Sequence, residues 1–230
     1  MIKNKIEEIY NSQGSVPHSV TRDYDWFTEY PVGKERPGWQ QCGPRLAGDD
    51  IRYWINSAGF RGKEFDGNSA VFGDSFVFGI GVENCFAAQL DVDNLGVPAT
   101  SNDAIARRVI GYLNYYKPTH IVVMWTYGYR REWVTESGNT YEFKRKFKGE
   151  HQHIDYALAE CSNDAYDYYN WQKNQLLVQQ AARLAGVHLT ETNNHIFDPR
   201  NYTAGSDGKH PGQDWHDAVA QHLKEKINAE

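Results

Sequence analysis

The first sustained pattern of apolar and polar positions begins at residue 69. Ser69-Ala70-Val71-Phe72-Gly73 is a short apolar run of strand length, closed by Gly73-Asp74-Ser75. Gly79 and Gly81 mark a turn leading to a helical stretch from about Asn84 to Leu90, and Asp91–Val97 reads as a second strand. Ser101-Asn102-Asp103 offers N-cap chemistry for a helix through about Tyr116, stopped by Pro118, with Ile105, Val109, Ile110 and Leu113 at helical spacing. His120–Trp125 is nearly apolar throughout, as expected of a strand covered on both faces. Residues 130–160 are less regular and charged, and Lys144-Arg145-Lys146 reads as a solvated face.

Ser162 or Asn163 can cap a long helix ending before Gly186, with Leu176, Leu177, Gln180, Ala181 and Leu184 along one side. Val187–Thr192 makes another strand, 194–212 a loop, and 213–228 a final helix with Trp215, Val219, Leu223 and Ile227 on one face. Strand and helix thus alternate four times, which predicts an α/β fold with a central parallel sheet between helices. Its ligand site is expected at the carboxyl ends of the strands, where Asp74-Ser75, 99–102, 126–131 and 194–212 lie.

Residues 1–48 have no such period and are rich in glycine and proline. They read as an irregular arm whose Trp26, Phe27, Tyr30 and Trp39 pack onto something, with the main domain spanning 49–230. Composition narrows the function. The net charge of -6 disfavours a nucleic-acid binder, and no apolar run is long enough to span a membrane. The amino terminus lacks the apolar core of a secretory signal, so a cytoplasmic protein is expected; a virion-associated or non-classically exported one would look the same. Cys42, Cys85 and Cys161 are too widely spaced for a metal or redox motif and read as reduced thiols. Fifteen tyrosines and seven tryptophans are a surplus that could line a sugar-binding groove.

Ser75 sits where a strand gives way to a glycine-bearing turn. A serine hydroxyl needs a base and an oxyanion site to act as a nucleophile; Asp-Ser after a strand is also ordinary turn chemistry. His210, in Asp207-Gly208-Lys209-His210, is the candidate base, and a carboxylate three residues upstream can fix its tautomer. Other candidates are weaker. His151 and His153 with Asp155 read as solvated rather than as metal ligands, and His216 could line the pocket. Asp74 is expected to bond its own turn. Arg130 and Arg131 could clamp an anion but are expected to pair with nearby acids.

Together these pieces resemble a family. Val71-Phe72-Gly73-Asp74-Ser75-Phe76 is similar to the first block of the GDSL or SGNH hydrolases, and Asp207-x-x-His210 to their last. Ile55–Gly62 resembles the lead-in before that first block, and Phe78–Asn84 and Asn94–Pro98 continue the match, which covers about residues 51–230. The resemblance implies a three-layer α/β/α sandwich of flavodoxin-like type and a serine esterase with Ser75 as nucleophile, His210 as general base and Asp207 as its orienter. Two departures stand out. Ala99 occupies the position where the family has an oxyanion-hole glycine, and the stretch after the central strand, 125–131, lacks the third-block asparagine. Either Asn102, Thr126 or a tyrosine hydroxyl such as that of Tyr127 replaces that donor, or the enzyme is slow, since losing one oxyanion donor costs about 3 kcal/mol in the transition state.

The expected activity is hydrolysis of a small-molecule or carbohydrate ester, with short acyl groups such as acetyl preferred because no large apolar lid is evident. Neither metal nor organic cofactor is expected, and neither nucleic acid nor membrane is an expected partner. The rival reading is a carbohydrate-binding or structural module that kept the fold and lost efficient catalysis.

Overall fold

A computed structural model describes residues 37–41, 51–134, 140–143 and 163–228. Four strands build the central sheet: β3 (Ser69–Gly73), β4 (Asp93–Gly96), β5 (His120–Trp125) and β8 (His188–Asn193). They are parallel throughout, in the order β4-β3-β5-β8. The side chains of the inner strands alternate between two cores. Ala70, Phe72, Ile121, Val123 and Trp125 face one, and Val71, Val122 and Met124 face the other. The first core is closed by α3 (Asn102–Tyr115) and α4 (Asp164–Ala185), the second by α2 (Phe86–Gln89) and α5 (Gln213–Asn228), giving a three-layer α/β/α sandwich. Both faces of the inner strands are therefore dry, which is why β5 reads as an unbroken apolar run, whereas the edge strand β8 is partly exposed.

Helix boundaries follow their caps. The Ser101 hydroxyl accepts from the Ala104 N–H, and the Asn163 side chain accepts from the Tyr166 N–H; α4 ends at Gly186, whose φ of 70° suits a glycine. The buried face of α4, however, is not the expected leucine stripe. Asp167, Asn170, Asn174, Val178, Ala181 and Ala182 are buried, while Leu176 is 59% exposed. Asn170 and Asn174 donate to the Asp103 carboxylate at 3.1 and 2.8 Å, so this helix docks partly through amides that a hydrophobic pattern cannot register.

Two small antiparallel pairs flank the sandwich. β1 (Gly38–Gln41) pairs with β2 (Arg52–Ile55), so this described piece of the arm is a strand rather than irregular, and its pairing crosses the expected boundary at 48/49. β6 (Arg131–Val134) pairs with β7 (Thr140–Phe143) where no regular element was expected. The rest of the arm, the Lys144–Lys146 run, His151, His153, Asp155, Cys42 and Cys161 lie outside the described residues. Cys85 is a buried free thiol. Among the described residues no helix is long and apolar enough to cross a membrane.

Candidate active site

Ser75 opens a four-residue helix, α1 (Ser75–Phe78), immediately after β3. Asp74 is its N-cap and accepts from the Phe76 N–H through its side chain. Gly79, in the left-handed region at φ 80°, ends the helix. The close fit of α1 to the sheet depends on Gly96 of β4, where a Cβ would stand 2.3 Å from the Phe78 nitrogen. The lead-in segment 55–62 holds the turn from the other side. Asn56 accepts from the N–H groups of Ala58 and Phe60. Arg61, buried and lying 4.2 Å over the Tyr53 ring, donates to the carbonyls of Phe78, Gly79, Val82 and Glu83. One guanidinium thus satisfies four carbonyls of the turn that follows Ser75.

Asp207 and His210 are brought together. The imidazole Nδ1 lies 2.6 Å from the Asp207 Oδ2, and Oδ1 of the same carboxylate accepts from the N–H groups of Lys209 and His210. Burial pushes the Asp207 carboxyl up, but the hydrogen bonds from His210 and Lys209 outweigh it and hold the group below its usual range. An ionised carboxylate only accepts, so Nδ1 carries the proton and Nε2 is left as the basic nitrogen.

The dyad is carried on a loop pinned at both ends. Gly205 donates to the His210 carbonyl, Gly212 to that of Thr203, and Thr203 is tied to Asp214 at the head of α5. This loop docks on Gly81: the Ser206 N–H donates to the Gly81 carbonyl at 2.9 Å, and a Cβ at Gly81 would lie 3.1 Å from Asp207 Oδ1. The His210 ring stands edge-on to Phe76, the residue after Ser75, at a centroid distance of 6.0 Å. The Ser75 hydroxyl, itself largely buried, is not hydrogen-bonded to the imidazole.

The expected oxyanion residues fall into two groups. The N–H groups of Ser75 and Ala99 donate to no described backbone carbonyl. Ala99 adopts φ 64°, the left-handed region that favours glycine, so the alanine keeps the backbone turn that a glycine would make. Asn102 and Thr126 are engaged with each other: the Asn102 side chain donates to the Thr126 carbonyl at 3.1 Å and accepts from its N–H at 2.9 Å. The Thr126 hydroxyl donates to Asp74 Oδ2 at 2.6 Å. Tyr127 stacks on Tyr129 and lies under the Arg130 guanidinium; burial, then Tyr129 and Asp74, push its phenol above its ordinary value.

Asp74 does more than bond its own turn. It is buried and pairs with Arg130 at 2.9 Å, while Arg130 also bonds the Thr126 hydroxyl and the Thr100 carbonyl. The loops after β3, β4 and β5 are thereby tied through one carboxylate next to Ser75. Arg131 pairs with Asp167. Both arginines are matched to acids, as expected. His216 does not line a polar pocket: it is buried against Phe86 and Trp215, and desolvation lowers its pKa to about 3. Among the described residues no group of three or more His, Cys, Asp or Glu side chains could hold a metal ion.

The support roles of Asn56 and Arg61 had no signature beyond the lead-in resemblance, because they act on carbonyls. A further cavity of about 350 Å³ lies between the ends of β5 and β8 and the head of α4. Its signals in the sequence were Tyr168 and Trp171 on the helix and Asn193-Asn194 after a strand.

No family model matches the chain, and no curated protein matches it. Among solved structures, a protein from Lactobacillus plantarum determined by the Northeast Structural Genomics consortium aligns at 15% identity and a TM-score of 0.37. The alignment covers 73% of this chain and 99% of that one.

Proposed function

We propose that the chain is an SGNH-type serine ester hydrolase acting on short acyl groups, acetyl above all, carried by a carbohydrate or other small alcohol. The observation that carries this reading is the Asp207–His210 pair, docked through Gly81 and Phe76 onto the turn that bears Ser75. In the reaction, His210 Nε2 takes the Ser75 proton as Oγ bonds to the ester carbonyl carbon, and Asp207 steadies the imidazolium. The oxyanion is held by the N–H groups of Ser75 and Ala99. Collapse breaks the bond to the alkoxy group, which leaves with the proton from Nε2. Water, deprotonated by the same nitrogen, then attacks the acyl-serine, and acid and free serine are released.

Asn102 and Thr126 act in this account by fixing the Asp74 network, since their polar atoms are already engaged. No cofactor enters the chemistry. A cytoplasmic setting belongs to the same reading and fits the unpaired thiol of Cys85.

A second reading, a carbohydrate-binding module with weak catalysis, is favoured by one observation: Asn102 and Thr126, two of the three candidates for a third oxyanion donor, have their side chains engaged elsewhere. A fluorophosphonate probe separates the two. The esterase reading expects a covalent adduct on Ser75, located by peptide mass spectrometry and absent from His210→Ala. An unlabelled wild-type protein would favour the binding module.

A further inference from the structure

Two guanidinium groups join the turn that bears Ser75 to the turn that bears Ala99. The Val97 N–H donates to the Gly73 carbonyl at 3.0 Å, and Thr100 closes the Ala99 turn with an N–H to the Val97 carbonyl at 3.3 Å. Arg108 donates to the Thr100 hydroxyl at 3.1 Å and lies 3.4 Å from the Gly73 carbonyl. Arg130 reaches the same two segments from the loop after β5. Its Nη1 lies 2.9 Å from Oδ2 of Asp74, the residue before Ser75, and 3.4 Å from the carbonyl of Thr100, the residue after Ala99. The third contact of Nη1 is the Thr126 hydroxyl at 2.9 Å.

Every side-chain hydrogen bond of Arg130 to the described residues thus uses one nitrogen. Its Nε and Nη2 have no such partner, and unlike the Nε of Arg131 neither is sealed away from solvent. The planar fork sets this free edge beside the anchored nitrogen, at the junction of the segments that carry the Ser75 and Ala99 N–H groups. The anchor is firm: the Asp74 side chain is 1% exposed and that of Arg130 15%. The guanidinium is therefore in place before any charge develops, the condition for electrostatic stabilisation of a transition state. We infer that Arg130 is a catalytic residue whose Nε–Nη2 edge donates to the oxygen of the reacting carbonyl. As Ser75 Oγ bonds to the carbonyl carbon, the π pair moves onto that oxygen, and it returns when the alkoxy group leaves. Arg130 gives up no proton at any working pH; it only donates hydrogen bonds that strengthen as the charge forms. The inference rests on the esterase reading and deepens it by adding a charged donor to two backbone ones.

The test compares the full chain as wild type, Arg130→Lys and Arg130→Gln in two assays. One is steady-state hydrolysis of p-nitrophenyl acetate; the other is inhibition by phenyl trifluoromethyl ketone, which a serine nucleophile converts to a tetrahedral oxyanion. Lysine keeps the charge and can supply the one nitrogen that Asp74, Thr100 and Thr126 share, but it has no second nitrogen to form the free edge. In both variants kcat should fall about a hundredfold or more. KM should stay within about threefold, because the oxyanion forms in both half-reactions and both slow alike. Ketone affinity should drop by about the same factor as kcat. If Arg130→Gln strands the Asp74 carboxylate and fails to fold, the lysine variant carries the test alone. A lysine variant within about threefold of wild type in kcat would reduce Arg130 to an anchor of Asp74 and overturn the inference. Undiminished ketone affinity in a variant whose kcat has fallen would overturn it too. Either result with an active wild type sinks this inference alone, whereas a wild type showing neither turnover nor ketone adduct sinks the esterase reading and this inference with it.

Discussion

Ala99 is where the backbone and the proposed chemistry meet, and replacing it separates strain from function. At φ 64° an L side chain costs about 1–2 kcal/mol relative to the right-handed region. Glycine removes that cost but gives back about 0.5–1 kcal/mol through the greater freedom of the unfolded chain. It also forfeits a few tenths of a kcal/mol from the half-buried methyl. The balance is a gain of about 0.5 kcal/mol for Ala99→Gly, or roughly 1–2 °C in a chain of this size. Ala99→Val works in the opposite direction, because a β-branched residue tolerates this region poorly, and should lose about 1 kcal/mol or more. Urea unfolding of the three proteins under one buffer gives the order glycine, alanine, valine. A glycine variant clearly less stable than wild type, or a valine variant equal to it, would refute the assignment of strain to this position. If the Ala99 N–H holds the oxyanion, ester hydrolysis should survive in the glycine variant and fall in the valine one.

Three further outcomes can be checked with the same protein. The neutral His216 side chain adds no pH dependence to stability above its ordinary pKa of 6.5. As pH falls below its unfolded value, protonation of the unfolded chain should remove about 1.4 kcal/mol of stability per pH unit, down toward the folded value of about 3. Denaturant melts of His216→Asn near pH 7.5 and near pH 5 should be separated by roughly 2 kcal/mol less than those of wild type; an unchanged separation would contradict the burial argument. Arg61→Met strands four turn carbonyls and should destabilise the fold by about 3 kcal/mol or more, read as a fall in the thermal midpoint. Asp207→Asn, which leaves the dyad's size unchanged but not its tautomer, should cut ester hydrolysis about a thousandfold or more while the melting temperature shifts little. Retained activity would remove Asp207 from the mechanism.

Elements whose burial is decided locally were readable from the chain. β3 and β5 carry their apolar runs because both faces are covered, and α3 and α5 carry their cores at helical spacing. The caps at Ser101 and Asn163 and the stop at Gly186 were visible for the same reason, since each is set by one side chain or one φ angle. What escaped depends on partners distant in sequence. The buried face of α4 is polar because Asp103, some seventy residues earlier, receives its asparagines. The β6–β7 pair sits in a charged stretch, and β1 in a glycine-rich one, where pairing rather than pattern makes the strand. At the site, the Asp207–His210 contact followed from a three-residue spacing. The engagement of Asn102 with the Thr126 backbone did not, because it joins the head of α3 to the residue after β5, across a whole helix and strand. Whether the Ser75 hydroxyl is served by His210 is a question of rate.

That rate is the most direct test: hydrolysis of p-nitrophenyl acetate by wild type, Ser75→Ala and His210→Ala at equal concentration. The account predicts measurable turnover in the wild type and a loss of about a thousandfold in both variants, each with an unchanged circular-dichroism spectrum. Equal, feeble rates in all three proteins would contradict it.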